Sequence, residues 1–191
     1  MSELKNILIY TDGACDPNPG GPGGYGVVLN YNGKKRELSG GFRATTNNRM
    51  EICAAVKALE ILKEPCQVTL YSDSKYLVNT MNEGWAKRWK ENDWRRNKQE
   101  RAVNVDLWES LLALCEMHQV TFVWIEGHAG HPENERCDYL STFALKNDNL
   151  PDDIGYENRS ENDGYKITHE GQPCRKCSTP VVKKIPKKPK R

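Results

Sequence analysis

The 191-residue sequence has few aromatic residues and no long apolar run. No stretch approaches the roughly 18 apolar residues of a membrane-spanning helix, so we expect no membrane partner. The first apolar run, Ile7–Tyr10, is short and follows Glu3 and Lys5. We therefore expect no secretory signal peptide.

The sequence also lacks a disulfide pattern, because five of its seven cysteines are scattered singly between positions 15 and 137. Scattered thiols are typical of a reduced, cytoplasmic protein. Histidine and cysteine are not clustered around the acids of the main part of the chain, and the only histidine near a cysteine pair is His169, a candidate third zinc ligand in the tail.

Acidic residues are absent from the C-terminal segment 172–191, which contains eight of the 28 Lys and Arg residues. The remaining 20 basic residues are outnumbered by the 26 Asp and Glu of residues 1–171. The sequence therefore predicts an acidic body and a basic tail that binds nucleic acid.

An apolar stretch, Ile7–Tyr10, leads directly to Asp12-Gly13. Such a run is typical of a strand buried on both faces, which places Asp12 at the carboxyl end of a central strand. Ligand sites of α/β sheets gather there. The alternative is that Asp12-Gly13 only begins a turn.

Two further strands and a helix follow this stretch. Residues 25–31 and 36–42 predict an antiparallel pair joined by Asn32-Gly33, a tight-turn sequence. A helix then opens within Thr45–Glu51, where Asn48 and Glu51 have capping-box spacing. Glu51 is therefore either a helix-capping residue or a functional acid.

Asp73 repeats the placement of Asp12, since it follows the short strand Gln67–Tyr71. If the two strands are parallel neighbours, both carboxylates lie at one edge of the sheet. Like charges so close are unfavourable unless a cation neutralises them. The alternative is that Asp73 caps the next helix.

A basic and aromatic segment spans Trp85–Arg101, with seven basic residues, three acidic residues and three tryptophans. Trp85 and Trp89 are four residues apart, so one helical face would present both. This composition favours a protrusion that grips a phosphate backbone. Core packing is the alternative for one or two of the tryptophans.

The body ends with a helix, a strand and a polar loop. Val105–Met117 is amphipathic, and His118 at its end is expected to be structural and to favour the helix dipole. A strand at Val120–Ile125 leads to His128 in a glycine-flanked loop. Pro132 then suits the first turn of a closing helix that carries Asp138 in its second turn.

We expect three regions: a catalytic domain over 1–148, a polar acidic linker over 149–170 and a basic tail over 171–191. Within the tail, Cys174 and Cys177 have the spacing of half a zinc site. Structural zinc needs four ligands, so we expect no bound zinc in this chain.

Four segments together carry a resemblance to ribonuclease HI, the bacterial type 1 ribonuclease H, across about residues 5–145: Tyr10–Cys15, Thr45–Glu51, Ser72–Ser74 and Gly127–Asp138. The resemblance implies an α/β fold with a five-stranded mixed sheet in the order 3-2-1-4-5 and helices on both faces. It also implies a monomeric endonuclease that hydrolyses the RNA strand of RNA/DNA hybrids, leaving 5′-phosphate and 3′-hydroxyl ends.

The resemblance further implies that four acids bind two Mg²⁺ ions: Asp12, Glu51, Asp73 and Asp138. Asp12 would bridge both ions, and Mn²⁺ is the expected substitute. Oxygen ligands alone do favour these hard cations over zinc. His128 matches a mobile-loop histidine that serves proton handling or product departure.

Contacts with the hybrid are implied at several positions. The 2′-hydroxyl side would be touched by Cys15, Asn18, Asn47 and Asn48, and a phosphate by Lys75. The basic protrusion would contribute Trp85, Lys87, Arg88, Trp89 and Lys90. Thr46 and Asn104 match a DNA-phosphate pocket whose third position, often Arg in relatives, is Ala44 here, beside Arg43.

Three alternatives remain distinct from this interpretation. A non-catalytic hybrid-binding module of the same fold would have lost one of the acids. Another nuclease or transposase of the superfamily would lack the Gly127–Asp138 segment. A zinc-ribbon binding protein would need a second cysteine pair in addition to Cys174 and Cys177.

Overall fold

The computed structural model describes residues 4–158, which form five strands and six helices. The strands are β1 (Lys5–Cys15), β2 (Gly23–Tyr31), β3 (Lys34–Phe42), β4 (Cys66–Ser72) and β5 (Gln119–Trp124). The helices are α1 (Asn47–Glu60), α2 (Lys75–Asn82), α3 (Trp85–Glu91), α4 (Val105–Met117), α5 (Pro132–Ala144) and α6 (Ile154–Glu157).

The strands form one mixed sheet in the order β3-β2-β1-β4-β5, which confirms the expected topology. The first three strands are antiparallel, and the turn between β2 and β3 has positive φ at both Asn32 (50°) and Gly33 (77°). Strands β1 and β4 are parallel, with Thr11 opposite Ser72. Asp12 and Asp73 therefore emerge side by side at one edge.

The sheet is covered on both faces, but unequally. Ile7 and Ile9 face the main core beneath α1, α2 and α4. On the opposite face a smaller cluster includes Cys137 of α5, and Tyr10 packs against it. The prediction that β1 is buried on both faces is wrong at Leu8, which is 39% exposed.

Two local predictions are corrected by the structure. Helix α1 is capped by Thr46, whose hydroxyl accepts from the amide of Arg49 at 3.2 Å, so Asn48 and Glu51 do not form the capping box. His118 does end α4, but it is buried and its Nδ1 accepts from the Cys66 amide at 3.3 Å. Burial lowers the pKa of His118, so it favours a neutral imidazole and not a cation at the helix dipole.

The predicted linker begins with a docked segment. Residues 151–158 pack against the body and include α6, whose N-cap Asp153 is buried. Asp153 accepts two hydrogen bonds at 2.7 Å from the guanidinium of Arg49 on α1, and the same guanidinium reaches Asp106 on α4. One buried arginine thus connects three separate elements.

The predicted tail, with Cys174, Cys177 and the basic run, lies outside the described residues, and the proposed boundaries at 148 and 170 stay predictions. Within residues 4–158, none of the helices combines the length and the apolar character needed to cross a membrane.

Candidate active site

Three acids from three elements meet at the edge of the sheet. Asp12 lies near the end of β1, Asp73 directly follows β4, and Glu51 lies on α1. One carboxylate oxygen from each lies within 4.8 Å of the other two. Helix α1 comes this close because Gly13 has no side chain: a Cβ there would lie 2.3 Å from the Glu51 nitrogen.

The charges of these acids are poorly neutralised by the protein. The pKa of Asp12 is raised to about 6, chiefly by burial. The charges of Asp73 and Asp138 add to this rise, and the hydrogen bond from the Ser141 hydroxyl partly opposes it. Burial, with Asp12 and Asp73 nearby, raises the pKa of Glu51 well above its ordinary value. The Glu51 Oε2 atom is buried without a hydrogen-bond partner. Oxygen donors that lack a counter-charge are what a hard divalent cation requires.

The fourth predicted acid, Asp138, lies in the second turn of α5 and is half-buried. It is not part of the group of three, although its charge raises the pKa of Asp12. Two neighbours on the same helix contact the group. Asn134 donates to Asp73 Oδ2 at 3.2 Å, and Ser141 donates to Asp12 Oδ2 at 2.5 Å.

Sequence reasoning missed Asn134 and Ser141, although a signal was available. They lie four residues before and three after Asp138, and this spacing places all three on one helical face. His128, by contrast, lies in the loop between β5 and α5, exposed and with φ of 57°. Its role in proton handling stays a prediction.

Comparison with known proteins decides how this acidic group is interpreted. The sequence pattern of RNase H matches residues 4–146. The chain belongs to the RNase H family.

Close relatives extend over nearly the same region. The chain is 61% identical over 153 residues to ribonuclease H of Desulforamulus reducens, covering 80% of this chain and 96% of that protein. It is 57% identical over 154 residues to ribonuclease HI of Synechocystis, again covering 80% and 96%.

Solved structures of the family agree with the fold. LC9-RNase H1, a type 1 RNase H with the type 2 active-site motif, superposes with a TM-score of 0.68 at 29% identity, covering 76% of this chain and 74% of that one. LC11-RNase H1 in complex with RNA/DNA hybrid gives a TM-score of 0.57 at 27% identity, covering 73% and 96%.

In this RNase H family member, the predicted contacts near the start of α1 differ in accessibility. Asn47 is exposed, and its backbone N–H donates to Asn18 Oδ1 at 3.1 Å. This bond joins the glycine-rich loop to the helix. Asn48 is half-buried. The Cys15 thiol is turned inward, with Sγ 3.4 Å from the carbonyl oxygens of Gly21 and Thr45, so a contact of its side chain with a ligand has no structural support.

The predicted basic protrusion contains an exposed group of cations on α3. We call Lys87, Arg88 and Lys90 the α3 basic cluster; all three side chains are exposed. Trp85 is 38% exposed, whereas Trp89 packs on the core with its ring centroid 6.4 Å from that of Trp108. The expectation of two tryptophans on one open face therefore holds only for Trp85. Core packing accounts for Trp89.

Lys75 lies beside the acidic group and is exposed. Its ammonium stands 4.9 Å from the ring centroid of Trp124, whose indole N–H donates to the Asp73 carbonyl at 3.1 Å. The cation is thereby held at the same sheet edge as Asp73, where a phosphate approaching the acids would meet it.

Thr46 and Asn104, the residues of the predicted phosphate pocket, line a cavity of about 510 Å³ together with Arg49, Asp106 and residues of the docked 151–158 segment. Asn104 Nδ2 is buried without a partner, which leaves a donor available to an anion. Arg43 does not line the cavity and pairs instead with Asp152.

Proposed function

We propose that this chain is an endonuclease that hydrolyses the RNA strand of RNA/DNA hybrids and leaves 5′-phosphate and 3′-hydroxyl ends. The single observation that carries the proposal is the meeting of Asp12, Glu51 and Asp73 within 4.8 Å in a chain of the RNase H family. A hybrid as substrate is supported by LC11-RNase H1, which was solved in complex with one.

We further propose that the acids hold two Mg²⁺ ions, for which Mn²⁺ can substitute. The buried, unpartnered Glu51 Oε2 and the all-oxygen donor set fit such ions. When bound, divalent ions activate a water and stabilise the leaving oxygen of a phosphodiester. Asp12, Glu51, Asp73 and Asp138 would hold these ions.

The remaining residues of the site would hold the substrate and handle protons. Asn47 and Asn18, joined by their hydrogen bond, are suited to sensing 2′-hydroxyls with short polar groups. Asn104 Nδ2 would donate to a DNA-strand phosphate. His128, exposed in its loop, would take or return a proton during the reaction.

The α3 basic cluster would add affinity that does not depend on sequence. Its three exposed cations lie within four residues on one short helix, next to the exposed Trp85. Neutralising phosphates with Lys and Arg releases counter-ions, so this part of the affinity would fall steeply with salt.

Incubation of an end-labelled RNA/DNA hybrid, an RNA duplex and a DNA duplex with Mg²⁺, Mn²⁺ or EDTA tests the proposal. We expect cleavage of the hybrid alone, in either metal and not in EDTA. Asp73→Asn should abolish it, whereas Glu135→Gln, an exposed acid on α5, serves as the matched control. Hybrid binding without cleavage under all conditions would instead identify a non-catalytic binding module.

A further inference from the structure

Helix α5 presents a hydroxyl to the acidic group in addition to Asp138. We propose that Ser141 is a positioning residue that fixes the Asp12 carboxylate for cation binding. The inference rests on the metal-binding function proposed above. It concerns a side chain that would contact neither the cation nor the substrate, because Ser141 lies buried behind Asp12.

The hydrogen bond of Ser141 has two competing acceptors. Its Oγ lies 2.5 Å from Asp12 Oδ2 and 2.9 Å from the Asp138 carbonyl, and a hydroxyl has only one proton to donate. A bond to an ionised carboxylate is about twice as strong as one between neutral groups. The shorter contact and the charge both favour Asp12 as the acceptor.

The adjacent residue shows what a helical hydroxyl does without such an acceptor. Thr142 Oγ1 donates back to the Asp138 carbonyl at 2.8 Å, the ordinary local bond of Ser and Thr within helices. Ser141 has the same carbonyl within reach, yet it also reaches a carboxylate 129 residues away in the sequence. Its position on the inner face of α5 accounts for this difference.

The sheet is shaped to admit α5 at this point. Asp12 is opposite Gly26 in the register of β1 and β2, with Gly24 two residues away on the same face. A Cβ at Gly24 would lie 2.1 Å from the Ser141 carbonyl oxygen, and one at Gly26 would lie 2.1 Å from that of Cys137. Two glycines therefore bring the α5 backbone, and Ser141 with it, onto the strand that flanks Asp12.

Holding one oxygen of Asp12 restricts rotation of the carboxylate. Asn134 makes the equivalent bond to Asp73 from the same helix, at 3.2 Å. Partners that orient metal ligands in this way are typically worth about 10–100-fold in metal affinity or activity. We expect the lower end for Ser141, since it supplies one bond to one ligand.

Calorimetric titration of the metal-free protein with Mg²⁺ alone measures the effect directly. We expect Ser141→Ala to weaken Mg²⁺ binding about ten-fold. Ser141→Cys, with a weaker donor, should lie between this variant and the original protein. Thr142→Ala is the matched control, because it removes a hydroxyl one residue away whose hydrogen bonds go to backbone carbonyls and not to a carboxylate. The hybrid dissociation constant in EDTA should be unchanged in all three.

The outcomes separate this inference from the proposed function. If Asp12→Asn abolishes Mg²⁺ binding while Ser141→Ala binds as tightly as Thr142→Ala, the positioning role is wrong and the metal site stands. If Asp12→Asn itself binds Mg²⁺ normally, the proposed function fails. A loss of hybrid affinity in Ser141→Ala without loss of Mg²⁺ affinity would also overturn the inference. Thermal melting in EDTA reports folding, and Ser141→Cys carries the comparison if the alanine variant does not fold.

Discussion

Replacing Asp12 by Asn should make the metal-free protein more stable at neutral pH, although it removes a residue of the active site. The Asp12 carboxyl is 8% exposed and has its pKa raised to about 6, against about 3.9 in an unfolded chain. The folded protein thus holds this proton more tightly than the unfolded chain does. Stability is therefore lost as the pH rises from about 4 to about 6, and the loss is complete above that range.

The magnitude follows from the pKa difference. One pKa unit corresponds to about 1.36 kcal/mol, so ionisation of Asp12 reduces the free energy of unfolding by about 3 kcal/mol at pH 8. An amide of the same shape carries no charge, and its oxygen can still accept from Ser141. We expect a gain of about 2–3 kcal/mol, equivalent to about 5–10 °C in melting temperature for a domain of this size.

Thermal melting followed by circular dichroism in EDTA, at pH 8 and at pH 4, tests this expectation. The gain should appear at pH 8 and largely vanish at pH 4, where Asp12 is protonated. Saturating Mg²⁺ should raise the melting temperature of the original protein more than that of the variant. Glu135→Gln is the control for loss of an exposed charge. An Asp12→Asn variant less stable than the original in EDTA at pH 8 would refute the reasoning.

Three further expectations concern the hybrid. His128→Ala should slow turnover by about 10²-fold, the low end for a general acid–base group, with hybrid affinity nearly unchanged. Loss of metal binding in this variant would instead identify His128 as a metal ligand. Replacing the α3 basic cluster by alanine should raise the Michaelis constant and flatten its dependence on salt, and an unaltered salt slope would argue against contact. Arg43→Ala should change hybrid affinity little, because Arg43 pairs with Asp152 outside the pocket; a large loss in a binding titration would contradict this.

The positions of Asp12 and Asp73 at strand ends were predictable because they depend on local patterns, whereas the strand order was expected only from the resemblance to ribonuclease HI. Apolar runs ending in Asp12 and Asp73 mark strand ends, and the parallel pairing of β1 and β4 places both at one edge. The α1 cap was not predictable from the capping-box spacing. Thr46 and Asn48 are both good N-cap residues, and in the structure the helix is capped by the earlier one, Thr46.

Contacts between segments that are distant in the chain were harder to predict from the sequence. Asp153 lies in an acidic, polar stretch whose composition is typical of a linker. It docks because the buried guanidinium of Arg49 and the hydroxyl of Thr45 both donate to its carboxylate. The inward turn of Cys15 and the burial of Trp89 likewise depend on neighbours from other elements. Residue type alone did not distinguish these inward-facing side chains from side chains that contact a ligand at the surface.

The pairing of Arg49 with Asp153 also bears on how the chain acquires its structure during synthesis. The two residues are separated by 104 positions, and Arg49 with Asp106 by 57. A growing chain would therefore expose the first helix long before the acid that completes its charge pairing has been made. Removing one partner of a buried ion pair is strongly unfavourable. A nascent chain that stopped at position 148 would therefore present α1 with Arg49 paired to Asp106 but without the buried carboxylate of Asp153.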